Sequence, residues 1–318
     1  MIAERHTIEE RRRRVRADRA WLSPPDPSTN QNTASKAQHQ GTTAWFFEGN
    51  ISLEWKSKST APLLWIHGKR TPLCSLPPPR IQILMLRAII AGSGKSVLWH
   101  VVICHIHPKK LTLLISSAII RDIMALQMFG QAVVAYFYFD LKDTNKQDLR
   151  NALRSLLTQL STHSDSYCDI LSDVHQAQNN GTDKLSTKRM IRCLKQMLAL
   201  PDQGPVYIIL DAIDECPNTS GVPSAREEVL DFLKDLVRVQ LSDLHICVTS
   251  RPEIDILVAL EPLGFRPLSI HDQKGQKKDI EDYIRSFVYS NSSTTMKSWS
   301  DQEKELVIDT LSGGADGM

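Results

Sequence analysis

Residues 91–96 read Ala91-Gly92-Ser93-Gly94-Lys95-Ser96 and run into the apolar Val97-Leu98-Trp99. Glycines let successive backbone N–H groups converge on phosphate oxygens. A lysine can meet the β/γ-phosphate charge, and a serine hydroxyl can ligate Mg²⁺ at a helix N-terminus. The triplet G-K-[ST] alone arises by chance in roughly one chain in six of this length. A strict G-x-x-x-x-G-K-[ST] pattern also fails, because its first glycine falls on Ile89. A second constellation makes the difference. Val206-Tyr207-Ile208-Ile209-Leu210 runs into Asp211, and Asp214 and Glu215 follow after Ala212 and Ile213. A buried apolar strand that closes on a carboxylate can hold Mg²⁺ through water, and acids in the next turn can polarise an attacking water. A third, Cys247-Val248-Thr249-Ser250-Arg251-Pro252, sets a polar pair and a cation directly after a strand, beside the place a γ-phosphate would occupy. Each has a bland counterpart, a solvated acidic turn or an ordinary Ser-Arg-Pro turn. Their order along the chain favours phosphate chemistry.

Other clusters lead nowhere. Cys104-His105-Ile106-His107 lacks the second pair that a zinc site needs. Pro77-Pro78-Pro79 reads as a bare polyproline stretch. The run Arg11-Arg12-Arg13-Arg14 is balanced by Glu4, Glu9, Glu10 and Asp18, as on a solvated helix face, and is not taken as an anionic-surface patch.

These residues need a scaffold, and the chain is large enough for one. Its 318 residues are 42% hydrophobic, 23% charged and 6% aromatic, which excludes collagenous and wholly disordered classes. Thirty-eight basic against 36 acidic residues give +2, no global field to hold nucleic acid. Six cysteines without a CxxC pair argue against a disulfide framework and for a reducing, cytoplasmic setting. The longest charge-free apolar run near the middle, Ile123 to Phe139, is broken by Gln127, Gly130 and Gln131, so no membrane span is expected.

Residues 1–20 read as a charged helix, and 22–43, rich in Pro, Ser, Asn and Gln, as a linker or irregular lead-in. Trp21, Trp45, Phe46, Phe47 and Trp55 flank it and are expected to dock it on the main body. From Pro62, apolar runs (Leu63–Ile66, Ala132–Phe139, Val206–Leu210, His245–Val248 and a weaker Pro267–Ile270) alternate with helix-period stretches (Lys146–Leu160, Ser186–Leu200, Ala225–Val239, Lys278–Tyr289). Continuous apolar strands separated by amphipathic helices predict an α/β fold, a parallel sheet covered by helices on both faces.

Together these residues resemble the NACHT family of STAND-class P-loop NTPases in its fungal form, also described as a nephrocystin-3-like N-terminal domain. The likeness is carried by the lead-in Trp21–Asp26 and Gly41–Phe47. It continues through LLWIHG at 63–68, AGSGKSVLW at 91–99, VVAYFYFD at 133–140, YIILDAIDEC at 207–216, VTSRP at 248–252 and LSGGADGM at 311–318. It implies a P-loop NTPase core over 61–290, behind a lead-in at 1–60 and before a helical region opening at 291–318. By resemblance, Gly92, Ser93, Gly94, Lys95, Ser96 and Val97 would hold ATP, or GTP, with Ser96 and Asp211 on Mg²⁺ and Arg251 sensing phosphate. Asp214 or Glu215 would orient water. Between the two nucleotides the resemblance is taken to favour ATP. Such proteins work as nucleotide-gated oligomerisation switches, whose self-association and protein partners involve C-terminal repeats. The chain stops at Gly317-Met318, before such repeats, and reads as a fragment, a truncated product or a minimal module.

Two stretches depart from the pattern. Residues 69–89 separate LLWIHG from the phosphate loop, and deleting them restores the full spacing of the loop. Residues 101–116 separate Trp99 from the helix that should follow. Both read as retained introns, with genuine surface insertions as the alternative, although a phosphate loop is a poor place for one. If they disable the loop, the alternative is an interaction module without catalysis.

Overall fold

The computed structural model describes residues 2–37, 43–57, 63–68, 108–179, 185–201, 203–219, 221–241, 243–270, 278–279, 281–282, 285, 288–289 and 300–314. The lead-in forms four helices, α1 (Ile2–Leu22), α2 (Ser28–Ala37), α3 (Ala44–Glu48) and α4 (Asn50–Lys56). The body then runs β1 (Leu63–His67), α5 (Pro108–Met128), β2 (Val133–Tyr138), α6 (Leu149–Ser161), α7 (Asp165–Asn179) and α8 (Thr187–Leu198). It continues through β3 (Val206–Asp211), α9 (Ala225–Arg238), β4 (Leu244–Ser250), α10 (Ile254–Leu260), β5 (Arg266–Ser269) and α11 (Asp301–Gly314). All strand pairs are parallel, in the order β2-β3-β4-β1-β5. The α/β class and the five strands follow the expectation from sequence, with ends displaced by one or two residues.

The strands are apolar on both faces because both faces are covered. Side chains alternate across a strand, and here they sort into two cores. Leu63, Trp65, Val133, Ala135, Phe137, Ile208, Leu210, Ile246 and Val248 pack on one side with Leu153, Leu156 and Leu160 of α6, Leu194 and Met197 of α8, and Leu233 of α9. Leu64, Ile66, Val134, Tyr207, Ile209, Cys247 and Leu268 face the other way. There they meet Ile115, Ile119, Ile120 and Ile123 of α5, together with Phe46 and Trp55 of the lead-in. Trp55 is fully buried, its Nε1 donates to the Ile246 carbonyl at 3.2 Å, and its own carbonyl lies 2.7 Å from His245 Nδ1. The flanking aromatics therefore do dock the lead-in.

Two stretches differ from their sequence reading. Residues 28–37, read as linker, are helical, with Gln31 and Ala34 buried. Residues 108–116, the latter half of the second stretch read as an insert, are the opening turns of one unbroken helix, and Ile115 and Ser116 lie in its buried face. The arginine run divides. Arg11 pairs with Asp165 at 2.7 Å and Arg14 with Asp169 at 2.5 Å on α7. One turn on, Asp18 accepts from Ser172 and pairs with His175, each at 2.7 Å.

The edge strand β2 shows how polar groups outside the ladder are met. The Val134 N–H donates to Gln127 Oε1 at 2.8 Å from α5, and the Tyr136 N–H to Gln159 Oε1 at 3.1 Å from α6. Gln159 Nε2 returns a bond to the Tyr136 carbonyl at 2.8 Å. The two glutamines take the place of a further strand and blunt an edge that would otherwise template another chain. Gln159→Ala removes two of these bonds, so a loss of about 1–2 kcal/mol in stability is expected. Faster hydrogen exchange at the Tyr136 amide should accompany it, and unchanged exchange there would remove the glutamine from this role.

Candidate functional site at the carboxyl edge of the sheet

Parallel strands bring their carboxyl ends to one edge, and the register fixes which residues meet there. Tyr138 stands opposite Asp211, Leu210 opposite Val248 and His67 opposite Ser250. β1, which precedes the glycine-rich loop in the sequence, thus ends beside β4 and one strand away from Asp211. The loop residues Gly92, Ser93, Gly94, Lys95, Ser96 and Val97 lie outside the described residues. Asp211, Asp214, Glu215 and Arg251 lie within them.

Asp211 is 3% exposed. Its Oδ1 accepts from Ser116 Oγ at 2.6 Å and from Thr249 Oγ1 at 2.7 Å. Thr249 Oγ1 in turn accepts from the Ala212 N–H at 2.9 Å, so one hydroxyl ties the carboxylate and the following peptide to β4. Burial pushes the Asp211 carboxyl up to about 6; the two hydroxyls hold it back, while Asp214 and Glu215 add to the rise.

After Asp211 the chain turns through Ala212 at φ 57°, a left-handed conformation that alanine rarely adopts, into a short 3₁₀ turn at Ile213–Glu215. The turn sends the two acids in different directions. Asp214 goes to Arg251, accepting from its backbone N–H at 3.2 Å and facing its Nε at 3.3 Å. Burial raises the Asp214 carboxyl, and Arg251 opposes the rise. Glu215 goes to the loop after β2, where its Oε2 accepts from the Leu141 N–H at 2.9 Å. The structure therefore gathers Asp211, Asp214 and Arg251 and holds Glu215 on a neighbouring loop.

Two residues that matter here escaped the sequence reading. Ser116 was assigned to an insert, although a Ser-Ser pair inside an apolar helix is a signal that it faces something polar. Arg226, in the first turn of α9, joins the two turns of the edge. Its Nε donates to the Cys216 carbonyl at 3.1 Å and its Nη2 to the Asp214 carbonyl at 2.5 Å. Its Nη1 pairs with Glu253 and, at 3.1 Å, with Asp255. Nothing in the local pattern Ser224-Ala225-Arg226-Glu227 announces this. Ser224 and Glu227 are the capping box that starts the helix, and Arg226 is set between them.

A model of the nephrocystin 3 N-terminal family matches residues 78–251, more than half of the chain. The chain belongs to the nephrocystin 3 N-terminal family. The matched span takes in the glycine-rich loop, β2 to β4, Asp211, Asp214 and Arg251, and leaves α1 to α4 and β1 outside it. No curated protein matches the chain. Among the described residues no helix is long and apolar enough to cross a membrane.

The raised carboxyl of Asp211 has a measurable consequence. Its folded pKa of about 6 stands above the ordinary value of 3.8, so the folded state binds the proton more tightly. Stability is then gained as pH falls from 6 towards 4, and above 6 the buried carboxylate costs its full amount. Asp211→Asn is expected to stabilise the protein by roughly 2–3 kcal/mol at pH 7.5. The advantage should shrink towards zero near pH 4. Melting curves of both proteins across this range test it, and a gap independent of pH would contradict the burial argument.

Proposed function

We propose that this chain is the nucleotide-binding core of a P-loop NTPase of the NACHT and STAND type, as found in fungi, which binds ATP in preference to GTP with Mg²⁺. The observation that carries the reading is Asp211. It is a buried carboxylate at the carboxyl end of a central parallel strand, tied to β4 by Thr249, at the edge to which β1 leads. A carboxylate with serine and threonine hydroxyls beside it is a hard oxygen donor set, which fits Mg²⁺. Bound Mg²⁺ would supply charge neutralisation between phosphate oxygens.

The chain's own residues take the remaining roles. The backbone N–H groups of Gly92, Ser93, Gly94 and Val97 cradle phosphate. Lys95 neutralises charge on the β/γ-phosphates, and Ser96 with Asp211 holds the metal. Arg251 senses the phosphate, and Asp214 or Glu215 orients water. Slow turnover would make the chain a switch, with nucleotide-gated self-association, or protein partners engaged through C-terminal repeats, as the output.

A second reading, binding without turnover, is favoured by the acids themselves. Asp214 is held by Arg251 and Glu215 by the Leu141 amide, so neither carboxylate is set out for water. Lys95→Ala is expected to abolish Mg²⁺–nucleotide binding in calorimetry while leaving the fold intact, because it removes the cation facing the phosphates. Equal affinity in both proteins would overturn the site. Phosphate release decides between the readings. Under the hydrolytic one, Glu215→Gln or Asp214→Asn slows release at least tenfold with binding kept; a wild-type rate equal to buffer leaves a binding switch.

A further inference from the structure

The lead-in helix α2 is attached to the body in an unusual way. Its sequence, Ser28 to Ala37, contains no apolar side chain larger than alanine. A ten-residue helix of this kind is marginal by itself, and its seat is made of hydrogen bonds. Gln31, 6% exposed, donates from Nε2 to the Ser117 carbonyl at 3.2 Å and accepts at Oε1 from the Tyr138 hydroxyl. Ser35 Oγ lies 3.2 Å from Ser117 Oγ, and Asn30 Oδ1 accepts from Lys146 Nζ at 2.7 Å.

Each of the first three bonds leads to the neighbourhood of Asp211. Ser117 follows Ser116, whose hydroxyl holds Asp211 Oδ1. Tyr138 stands opposite Asp211 in the sheet, and both burial and the Asp211 charge push its phenol up. One turn of α5 therefore faces the strand-end carboxylate with one serine and α2 with the next. The Ser116 hydroxyl also has a second set of acceptors within reach, the Thr112 carbonyl at 3.0 Å and the Leu113 carbonyl at 3.1 Å in its own helix. A hydroxyl carries one proton, so it can serve Asp211 or the helix, but not both at full strength.

From this geometry we infer that Ser116 is a two-position hydroxyl that couples the state of Asp211 to the seating of α2. With Asp211 free to accept, Ser116 donates to it and fixes the rotation of the Ser116–Ser117 turn, and α2 is held. When Asp211 is taken by a cation, Ser116 turns back to the Thr112 carbonyl. The turn is released and the bonds from Ser117 to Gln31 and Ser35 weaken. Ser116 is a positioning residue in this scheme, and α2 is the element that moves. The cation arm rests on the nucleotide reading above, whereas the coupling itself does not.

Hydrogen exchange followed by mass spectrometry on the full chain tests it without nucleotide. Ser116→Ala and Asp211→Ala should each speed exchange of the α2 amides about tenfold, the loss of one buried hydrogen bond. Exchange in α8, on the far face, should stay as in wild type, which shows that the body remains folded. Gln31→Ala, which cuts the link at its outer end, should loosen α2 without altering exchange around Ser116. A second arm adds Mg²⁺–ATP to wild type, with binding read separately by calorimetry. Bound nucleotide with faster α2 exchange supports the coupling. Unchanged α2 exchange in both Ser116→Ala and Asp211→Ala overturns it, as does nucleotide that binds and leaves α2 untouched. If no nucleotide binds, the nucleotide reading fails and the two variants still decide the coupling.

Discussion

A parallel sheet buried on both faces leaves its polar residues few places to go, and Asp211 occupies the hardest of them. β3 is buried along its whole length, so the carboxylate that ends it has little water to solvate it. A buried charge must be neutralised, hydrogen-bonded or paired. Here no cation is drawn in among the described side chains. Two hydroxyls from two different elements share one oxygen, while burial drives the carboxyl towards its protonated form. Much of the local geometry follows. Thr249 has to stand at the end of β4, Ser116 has to face inward from α5, and Ala212 has to turn left-handed so that Asp214 goes to Arg251 and Glu215 to the Leu141 amide.

The same burial explains why the lead-in is part of the body. The face carrying Leu64, Ile66, Tyr207, Ile209 and Cys247 is covered by α5 on one side only, and α3 and α4 cover the rest with Phe46 and Trp55. His245, on that face of β4, shows how complete the cover is. Its ring stacks on Tyr207 at 4.6 Å, its Nδ1 lies 2.7 Å from the Trp55 carbonyl, and burial lowers its pKa. A neutral imidazole there is a structural group filled in by the lead-in.

What could be read from the sequence follows from where the information is local. The five strands are short apolar runs bounded by polar residues, and both faces being apolar identified a covered parallel sheet. The helices α6, α8 and α9 carry both a 3.6-residue period and side-chain caps at Asp148, Ser186 and Ser224. α2 has neither a stripe nor an apolar anchor, so its Ser, Asn and Gln content reads as linker, and only distant partners make it helical. α7 begins at Asp165 after a turn that no Gly or Pro marks, and it escaped the reading altogether. Of the site, the acids and Arg251 were legible because a strand end followed by carboxylates is a local pattern. Ser116 and Arg226 were not, because each acts through partners on other elements.

Arg226 shows what such a long-range contact governs. Its guanidinium is nearly buried and reaches both the turn after β3 and the turn after β4, through the Asp214 and Cys216 carbonyls on one side and Glu253 and Asp255 on the other. A planar fork of fixed geometry holds such a set better than a single ammonium could. By setting the spacing of the two turns it also sets the Asp214–Arg251 pair. That pair is a closed arrangement, in which a largely buried acid and a half-exposed guanidinium satisfy one another. Any anion that recruits Arg251 must therefore compete with Asp214, and an abandoned Asp214 carboxyl, already raised by burial, would lose the partner that opposes the rise. The edge of the sheet thus opposes the entry of negative charge with one internal ion pair, and the bonds from Arg226 to the Asp214 and Cys216 carbonyls keep that opposition in register.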